Sequence, residues 1–91
     1  MIPKYLLWSQ KIEDHIARHK VRRDEVEQVF GNDPLIFKGR DQKLYLAYGR
    51  SDAGRFLTVA YVVKKKQIGI VLTARDMEQK ERRLYRKKGR D

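Results

Sequence analysis

The chain of 91 residues contains no cysteine. It therefore has no disulfide scaffold and no thiolate zinc site, and nothing in it indicates an oxidising compartment. Long apolar runs are also missing, because Phe56 to Val63 is among the longest and is far shorter than a membrane span of about 20 residues. The N-terminus lacks the pattern of an export signal. These absences predict a cytoplasmic protein that makes no membrane contact.

Several catalytic motifs are absent as well. The chain has no glycine-rich phosphate loop, no nucleophile elbow, no paired-carboxylate motif and no zinc pattern. This excludes kinases, the usual hydrolases and metalloproteases. His15 and His19 have the four-residue spacing that can bind a metal, but no third histidine or nearby carboxylate completes a ligand set. We expect neither a metal nor a cofactor.

Positive charge is abundant. Lysine and arginine number 22 against 12 acidic residues, which gives a net charge of +10. Clustered cations gain affinity for phosphate through the release of counterions. An apolar share of 41% is sufficient for one modest core, so we expect a single domain spanning residues 1–91. The composition favours an RNA-directed protein.

Apolar periodicity predicts helices near the N-terminus and strands after them. One helix is expected over Gln10 to His19, capped by Ser9, and a second is expected to begin at the cap Asp24 and to end at Gly31-Asn32. Runs rich in aromatic and β-branched residues predict four further strands after an edge strand within Ile2 to Trp8. They are Leu35 to Phe37, Lys43 to Tyr48, Arg55 to Val63 and Gln67 to Thr73.

Short turns connect these strands and favour antiparallel neighbours. The turns expected are Gly39-Arg40-Asp41, the segment 51–54 and Lys64-Lys65-Lys66. Asp76 is a candidate cap for a C-terminal helix that leads into a basic tail at about residues 86–91. The predicted fold class is α+β, with a small antiparallel sheet of four to five strands packed by the two N-terminal helices.

The residue pattern resembles the BrnT-type toxins over nearly the whole chain. The matching residues lie in three blocks: Trp8, His19, Val21, Val29-Phe30 and Pro34; Gly49, Gly54-Arg55, Leu57 and Val59; and Ile68, Ile70, Thr73-Ala74-Arg75, Glu81-Arg82-Arg83 and Tyr85. The last block is the most specific. The resemblance implies a RelE-like fold and an RNA-cutting toxin that an antitoxin neutralises. It also implies that the antitoxin has a ribbon-helix-helix DNA-binding part, so operator DNA is contacted only through the complex.

Metal-independent RNA cleavage uses the 2′-hydroxyl of the substrate as nucleophile. The protein then supplies a base, an acid and cations that stabilise the phosphorane. Arg55 opens the central strand and Arg75 closes the last one, so antiparallel pairing would bring both guanidiniums to one sheet end to clamp one phosphate. The alternative is that both arginines form surface ion pairs with nearby acids.

Further catalytic candidates lie on the last helix and at the end of the first. Glu81 and Tyr85 are four residues apart, with Arg82 beside them, and they suit a proton-transfer group. The alternative makes Glu81 an ion-pair partner and Tyr85 a packing residue. His19 is a candidate base because imidazoles in general titrate near neutrality, although a histidine at a helix end often caps or packs instead.

Cations outside this set are candidates for binding the RNA backbone. They are Lys64, Lys65, Lys66, Arg83, Arg86 and Lys87. The segment 82–90 also places an aromatic ring among its cations, which can stack a base. An acidic antitoxin is an alternative occupant of the same surface.

Three positions depart from the pattern of the family. Gly69 and Leu44 stand where arginines are usual, and Lys20 stands where glycine is usual. These departures motivate an alternative function, a non-catalytic member of the same fold that binds RNA or the antitoxin without cutting. A DNA-binding regulator that acts alone has only the net charge in its favour, because no reading helix is recognisable.

Overall fold

The computed structural model describes residues 2–40 and 43–89, except for the side chain of Lys66. Eight regular elements follow one another, and a short 3-10 turn, Lys65–Gln67, lies between the last two strands. The elements are β1 (Tyr5–Leu7), α1 (Gln10–Ala17), α2 (Arg23–Gly31), β2 (Leu35–Lys38), β3 (Leu44–Arg50), β4 (Phe56–Lys64), β5 (Ile68–Asp76) and α3 (Gln79–Lys87). The predicted α+β class and the five strands are confirmed.

The five strands form one sheet in the order β1-β5-β4-β3-β2. Strands β2 to β5 make the antiparallel meander that the short turns predicted. The expectation of a wholly antiparallel sheet is wrong, because β1 pairs with β5 in parallel, with Tyr5 opposite Ile68. Residues 8–67 lie between these two strands, so no tight turn fixes their relative direction.

The core lies between the sheet and the first two helices. Leu57, Val59 and Tyr61 alternate along β4 and are fully buried, as the period of two predicted. Ile16 of α1 and Val29 of α2 are equally buried against this face. Each such side chain contributes roughly 1.5–3 kcal/mol through the loss of apolar surface from water. This face of the sheet anchors both helices.

Helix α1 ends in a Schellman motif. The amide of Val21 donates to the carbonyl of Ile16, and the amide of Lys20 donates to that of Ala17. Lys20 has φ of 60°, the left-handed conformation that glycine usually supplies after a helix. The motif leaves His19 at the helix end and turns the chain toward α2.

The predicted caps of the other two helices are wrong. The residue that caps α2 is Arg22, whose backbone amide donates to the Glu25 carboxylate at 3.0 Å, and Asp24 lies inside the helix. Asp76 ends β5, and Glu78 caps α3. Asp76 lies two residues before the cap, and its carboxylate accepts a hydrogen bond from the Arg55 side chain.

The second face of the sheet carries α3. Tyr85 packs edge-on against Phe56 with ring centroids 5.9 Å apart, and Glu81 accepts a hydrogen bond from Thr58, the next residue of β4 on the same face. Arg86 and Lys87, expected in the tail, belong to the helix. The remaining tail, residues 90–91, and Asp41 of a predicted turn lie outside the described residues.

Candidate functional site

Arg55 lies at the start of β4, on the face that carries α2. Its guanidinium donates to Asp76 at 2.7 Å and to the two carboxylate oxygens of Glu25 at 3.2 and 3.4 Å. It also donates to the backbone carbonyls of His19 at 3.2 Å and Lys20 at 2.5 Å. The bond to Asp76 raises the pKa of Arg55 and lowers that of Asp76. Arg55 therefore joins the end of α1, α2 and β5.

Arg75 and Glu81 form a bidentate ion pair. Nη1 and Nη2 of Arg75 donate to Oε1 and Oε2 of Glu81 at 2.7 and 2.9 Å. Glu81 also accepts from Thr58 Oγ1 at 3.0 Å and from the amide of Glu78 at 2.8 Å. Burial acts to raise the pKa of Glu81, but these hydrogen bonds together lower it. The carboxylate is thus ionised and holds α3 to β5.

The two arginines share one end of the sheet, as antiparallel pairing predicted. Leu57 pairs with Asp76 and Thr58 pairs with Arg75, and adjacent strand residues point to opposite faces. Arg55 therefore meets α2 on one face, and Arg75 meets α3 on the other. In this structure each guanidinium is bound to carboxylates, and the two do not face one phosphate.

On α3, Glu81 is an ion-pair partner and Tyr85 is a packing residue, as in the alternative interpretation of the sequence. Tyr85 is only 3% exposed and lies against Phe56. The guanidinium carbon of Arg82 lies 3.3 Å from the centroid of the same ring, a cation–π contact. Glu81 and Tyr85 do share a helix face, but Tyr85 is buried in a packing contact rather than exposed to substrate.

Tyr48 is a buried residue near the Arg75–Glu81 pair that the sequence did not single out. Burial raises the pKa of its phenol, and the negative charge of Glu81 raises it further. Tyr48 lines a groove of about 450 Å³ together with Arg75, Lys80 and Leu84. Its position opposite Thr58 follows from the strand register, which the sequence does not reveal.

His19 lies in a different setting. It is exposed at the end of α1, and its ring meets that of His15 edge-on with centroids 5.7 Å apart. His15 is half-buried, and its Nε2 lies 3.1 Å from Oγ1 of Thr73 on β5. The four-residue spacing of the histidines was visible in the sequence, whereas the contact with Thr73 was not.

The predicted RNA-binding cations fall at two separate places. Lys64 and Lys65 are exposed at the far end of β4, roughly 25–30 Å of strand from Arg55. Arg83, Arg86 and Lys87 are exposed on α3, which starts from the Arg55 end of the sheet. The side chain of Lys66 lies outside the described residues.

The three departures from the family pattern each have a local structural setting. A Cβ at Gly69 would lie 2.7 Å from Cγ of Pro3, so the N-terminal segment packs directly on this backbone. Leu44 packs closely over Gly39, because a Cβ added to Gly39 would lie 2.8 Å from Cδ2 of Leu44. Lys20 occupies the left-handed position of the Schellman motif. Each departure therefore lies at a point of backbone packing or chain reversal.

The described part of the chain lacks a membrane-spanning helix and a metal-binding cluster. None of its helices is long and apolar enough to cross a membrane. No cluster of three or more histidine, aspartate or glutamate side chains within residues 2–40 and 43–89 is arranged to hold a metal ion.

Fold and site together define a small, strongly basic α+β protein whose strand-end arginines are held in ion pairs and whose imidazoles lie at a helix surface. Residues 8–81 match the family described as "Ribonuclease toxin, BrnT, of type II toxin-antitoxin system". The match covers well over half of the chain, so the protein belongs to this family, and the resemblance inferred from its residues is confirmed. A comparison with curated proteins found no match.

Proposed function

We propose that the protein is a RelE-like endoribonuclease toxin that cleaves RNA without a metal ion, with the 2′-hydroxyl of the substrate as nucleophile. The family supports the ribonuclease activity. The proposed mechanism rests on the observation that His19 is exposed next to the exposed Lys20. An imidazole there can take up or give a proton, and a lysine beside it attracts phosphate.

The other catalytic candidates suit a framework role. Arg55 and Arg75 are already bound to carboxylates, and Glu81 and Tyr85 are buried. A group in this setting fixes the position of the strand end and does not exchange protons with a substrate. Arg82, stacked on Phe56, belongs to the same framework.

The partner expected for a type II toxin is a protein antitoxin. We propose an antitoxin with a ribbon-helix-helix part, encoded beside the toxin, so that operator DNA is contacted only through the complex. The exposed cations of α3 and the Lys64–Lys65 turn are candidate contacts for RNA or for an acidic antitoxin. The cytoplasm is the proposed location.

Cleavage of a labelled RNA by the purified protein in the presence of EDTA tests the mechanism. We expect cleavage to continue in EDTA and to give a 2′,3′-cyclic phosphate and a 5′-hydroxyl. An oligonucleotide with 2′-deoxyribose throughout should remain intact, because it lacks the nucleophile. Cleavage that stops in EDTA, or that cuts the deoxy oligonucleotide, would contradict this mechanism.

A second candidate function is binding without cleavage. The ion pairs of Arg55 and Arg75 favour it, because a guanidinium already held by a carboxylate is a weaker ligand for a phosphate. Expression without the antitoxin separates the two functions. A working ribonuclease should arrest growth, whereas a binding protein should be tolerated at the same expression level.

A further inference from the structure

A groove of about 380 Å³ lies between α1 and β5, away from the ion pairs of the strand end. Its walls combine apolar and charged side chains. They are Lys11, Ile12, Asp14, His15, Arg18 and Leu72. Leu72 is 41% exposed and, with Tyr5 and Leu7 of β1, is one of the large apolar side chains of this sheet that are open to water. An exposed leucine beside cations offers an apolar surface for a base next to groups that attract phosphate.

A β-bulge shapes the floor of this groove. Ala60 pairs with Thr73 and Tyr61 pairs with Val71, so Leu72 has no partner on β4. Bulges of this kind redirect the side chains next to them and occur often beside active sites. The residue after the bulge is Thr73, and its hydroxyl reaches His15 of α1 at 3.1 Å. The bulge thus brings a polar group of β5 to the first histidine of α1.

The two imidazoles stand at a separation that suits a single phosphodiester. Their ring centroids are 5.7 Å apart and their planes meet at 76°. Each acid or base must come within about 2.6–3.2 Å of the oxygen it serves. The rings already contact each other edge-on, so a linkage lies across both of them, with its 2′-hydroxyl at one imidazole and its 5′-oxygen at the other.

The charges around the pair are mostly positive. Lys11 on α1, and Arg18 and Lys20 after it, form no ion pair with any carboxylate of residues 2–40 and 43–89. Asp14 is the acid on this side, and it accepts a hydrogen bond from Gln10 at 2.9 Å. By contrast, Arg22, Arg23, Arg55 and Arg75 all have carboxylate partners. The cations beside the imidazoles are therefore available to a phosphate.

We propose that His15 and His19 are the acid–base pair of the ribonuclease, that Thr73 positions His15, and that the RNA backbone lies along Lys11 and Arg18. This rests on the proposed function. The neutral imidazole takes the proton of the 2′-hydroxyl, whose oxygen forms a bond to phosphorus. The bond from phosphorus to the 5′-oxygen breaks, and the protonated imidazole gives its proton to that oxygen. The products are a 2′,3′-cyclic phosphate and a 5′-hydroxyl, and water returns each imidazole to its starting state.

The test uses the full chain and a fluorescent RNA oligonucleotide that contains every dinucleotide step. His15→Asn and His19→Asn should each lower kcat by about 100-fold or more. Binding of the same oligonucleotide with 2′-O-methyl groups, which cannot be cut, should change by less than about threefold. The pH profile of cleavage should be bell-shaped for the parent, and each variant should lose one limb.

Matched variants separate positioning and charge from folding. Thr73→Val should reduce kcat and shift the pH profile, while Thr73→Ser, which keeps the hydroxyl, should restore both. Lys11→Ala and Arg18→Ala should weaken binding of the 2′-O-methyl RNA more than Lys38→Ala, which removes the same charge from the opposite edge of the sheet. Circular dichroism of every variant confirms the fold before its kinetics are compared.

Two results overturn the proposal in different ways. In the first, both histidine variants cut RNA in EDTA with a kcat within about threefold of the parent. This result refutes the imidazole pair and leaves the proposed ribonuclease function intact. A parent that cuts none of the oligonucleotides, and whose imidazole NMR signals do not move on addition of the 2′-O-methyl RNA, refutes both the pair and the proposed function.

Discussion

Replacement of Arg55 by methionine is the sharpest test of the framework at the end of the sheet. Methionine keeps an aliphatic stem but removes all the hydrogen bonds of the guanidinium. Those bonds reach Glu25 on α2, Asp76 on β5 and two carbonyls at the end of α1. The variant should therefore fold less stably, because three parts of the chain lose a common partner.

The size of the loss follows from the burial of each partner. The Arg55 side chain is 27% exposed and that of Glu25 is 12% exposed, so this pair is largely shielded from water. A hydrogen bond to a charged group in such a setting contributes about 1.5–3 kcal/mol. Asp76 is 66% exposed, so its bond adds at most about 1 kcal/mol. The free energy of unfolding should fall by roughly 3 kcal/mol.

Thermal melting followed by circular dichroism measures this loss. For a domain of this size Tm should fall by roughly 12–24 °C. The matched control is Arg22→Met, which removes an arginine that is 73% exposed and pairs with an exposed aspartate. That control should melt close to the parent, because exposed ion pairs contribute little to stability. If both variants melt at the same temperature, the framework role of Arg55 is refuted. A loss of RNA cleavage at unchanged Tm would instead support the phosphate clamp.

Three smaller perturbations test other parts of the structure. Lys20→Gly should raise the free energy of unfolding by about 1 kcal/mol in urea titration, because glycine adopts φ of 60° without strain. Gly69→Arg should lower it by about 1–3 kcal/mol, since its Cβ would lie 2.7 Å from Pro3, and an unchanged value would contradict this packing. Glu81 has a lowered folded-state pKa, so its contribution to stability is present above its ordinary value of 4.5 and is lost as the pH falls through the folded pKa. Glu81→Gln should therefore be less stable at pH 7, and its urea midpoint should change less than that of the parent between pH 7 and pH 3.

Local sequence patterns predicted the elements of the fold well where a buried face imposed a period. Leu57, Val59 and Tyr61 lie in the core, as their alternation indicated. The ends of the strands were less predictable. Strand β5 continues to Asp76 because Arg75 and Asp76 find partners on β4, and that pairing depends on the register rather than on strand propensity.

The candidate site shows a similar limit. The antiparallel direction of the strands was enough to place Arg55 and Arg75 at one end of the sheet. The face that each side chain occupies depends on which residues pair across the strands, because successive side chains alternate between the faces. The contact of His15 with Thr73 joins residues 58 positions apart across a bulge. No local pattern marks a bulge of this kind, so the contact between Thr73 and His15 could not be predicted from the sequence alone.

Two of the departures of this chain from its family pattern, Gly69 and Lys20, lie at points of backbone packing. An arginine at position 69 would collide with Pro3, and Lys20 takes a backbone role at the end of α1. These substitutions follow from how the edge strand and the helix end pack. The ion pairs of Arg55 and Arg75 likewise fix the strand end, so that end provides a scaffold more than a set of reactive groups. We propose that proton transfer to RNA is instead the role of the His15 and His19 imidazoles, and the bonds of Arg55 to the carbonyls of His19 and Lys20 hold the end of α1 in place.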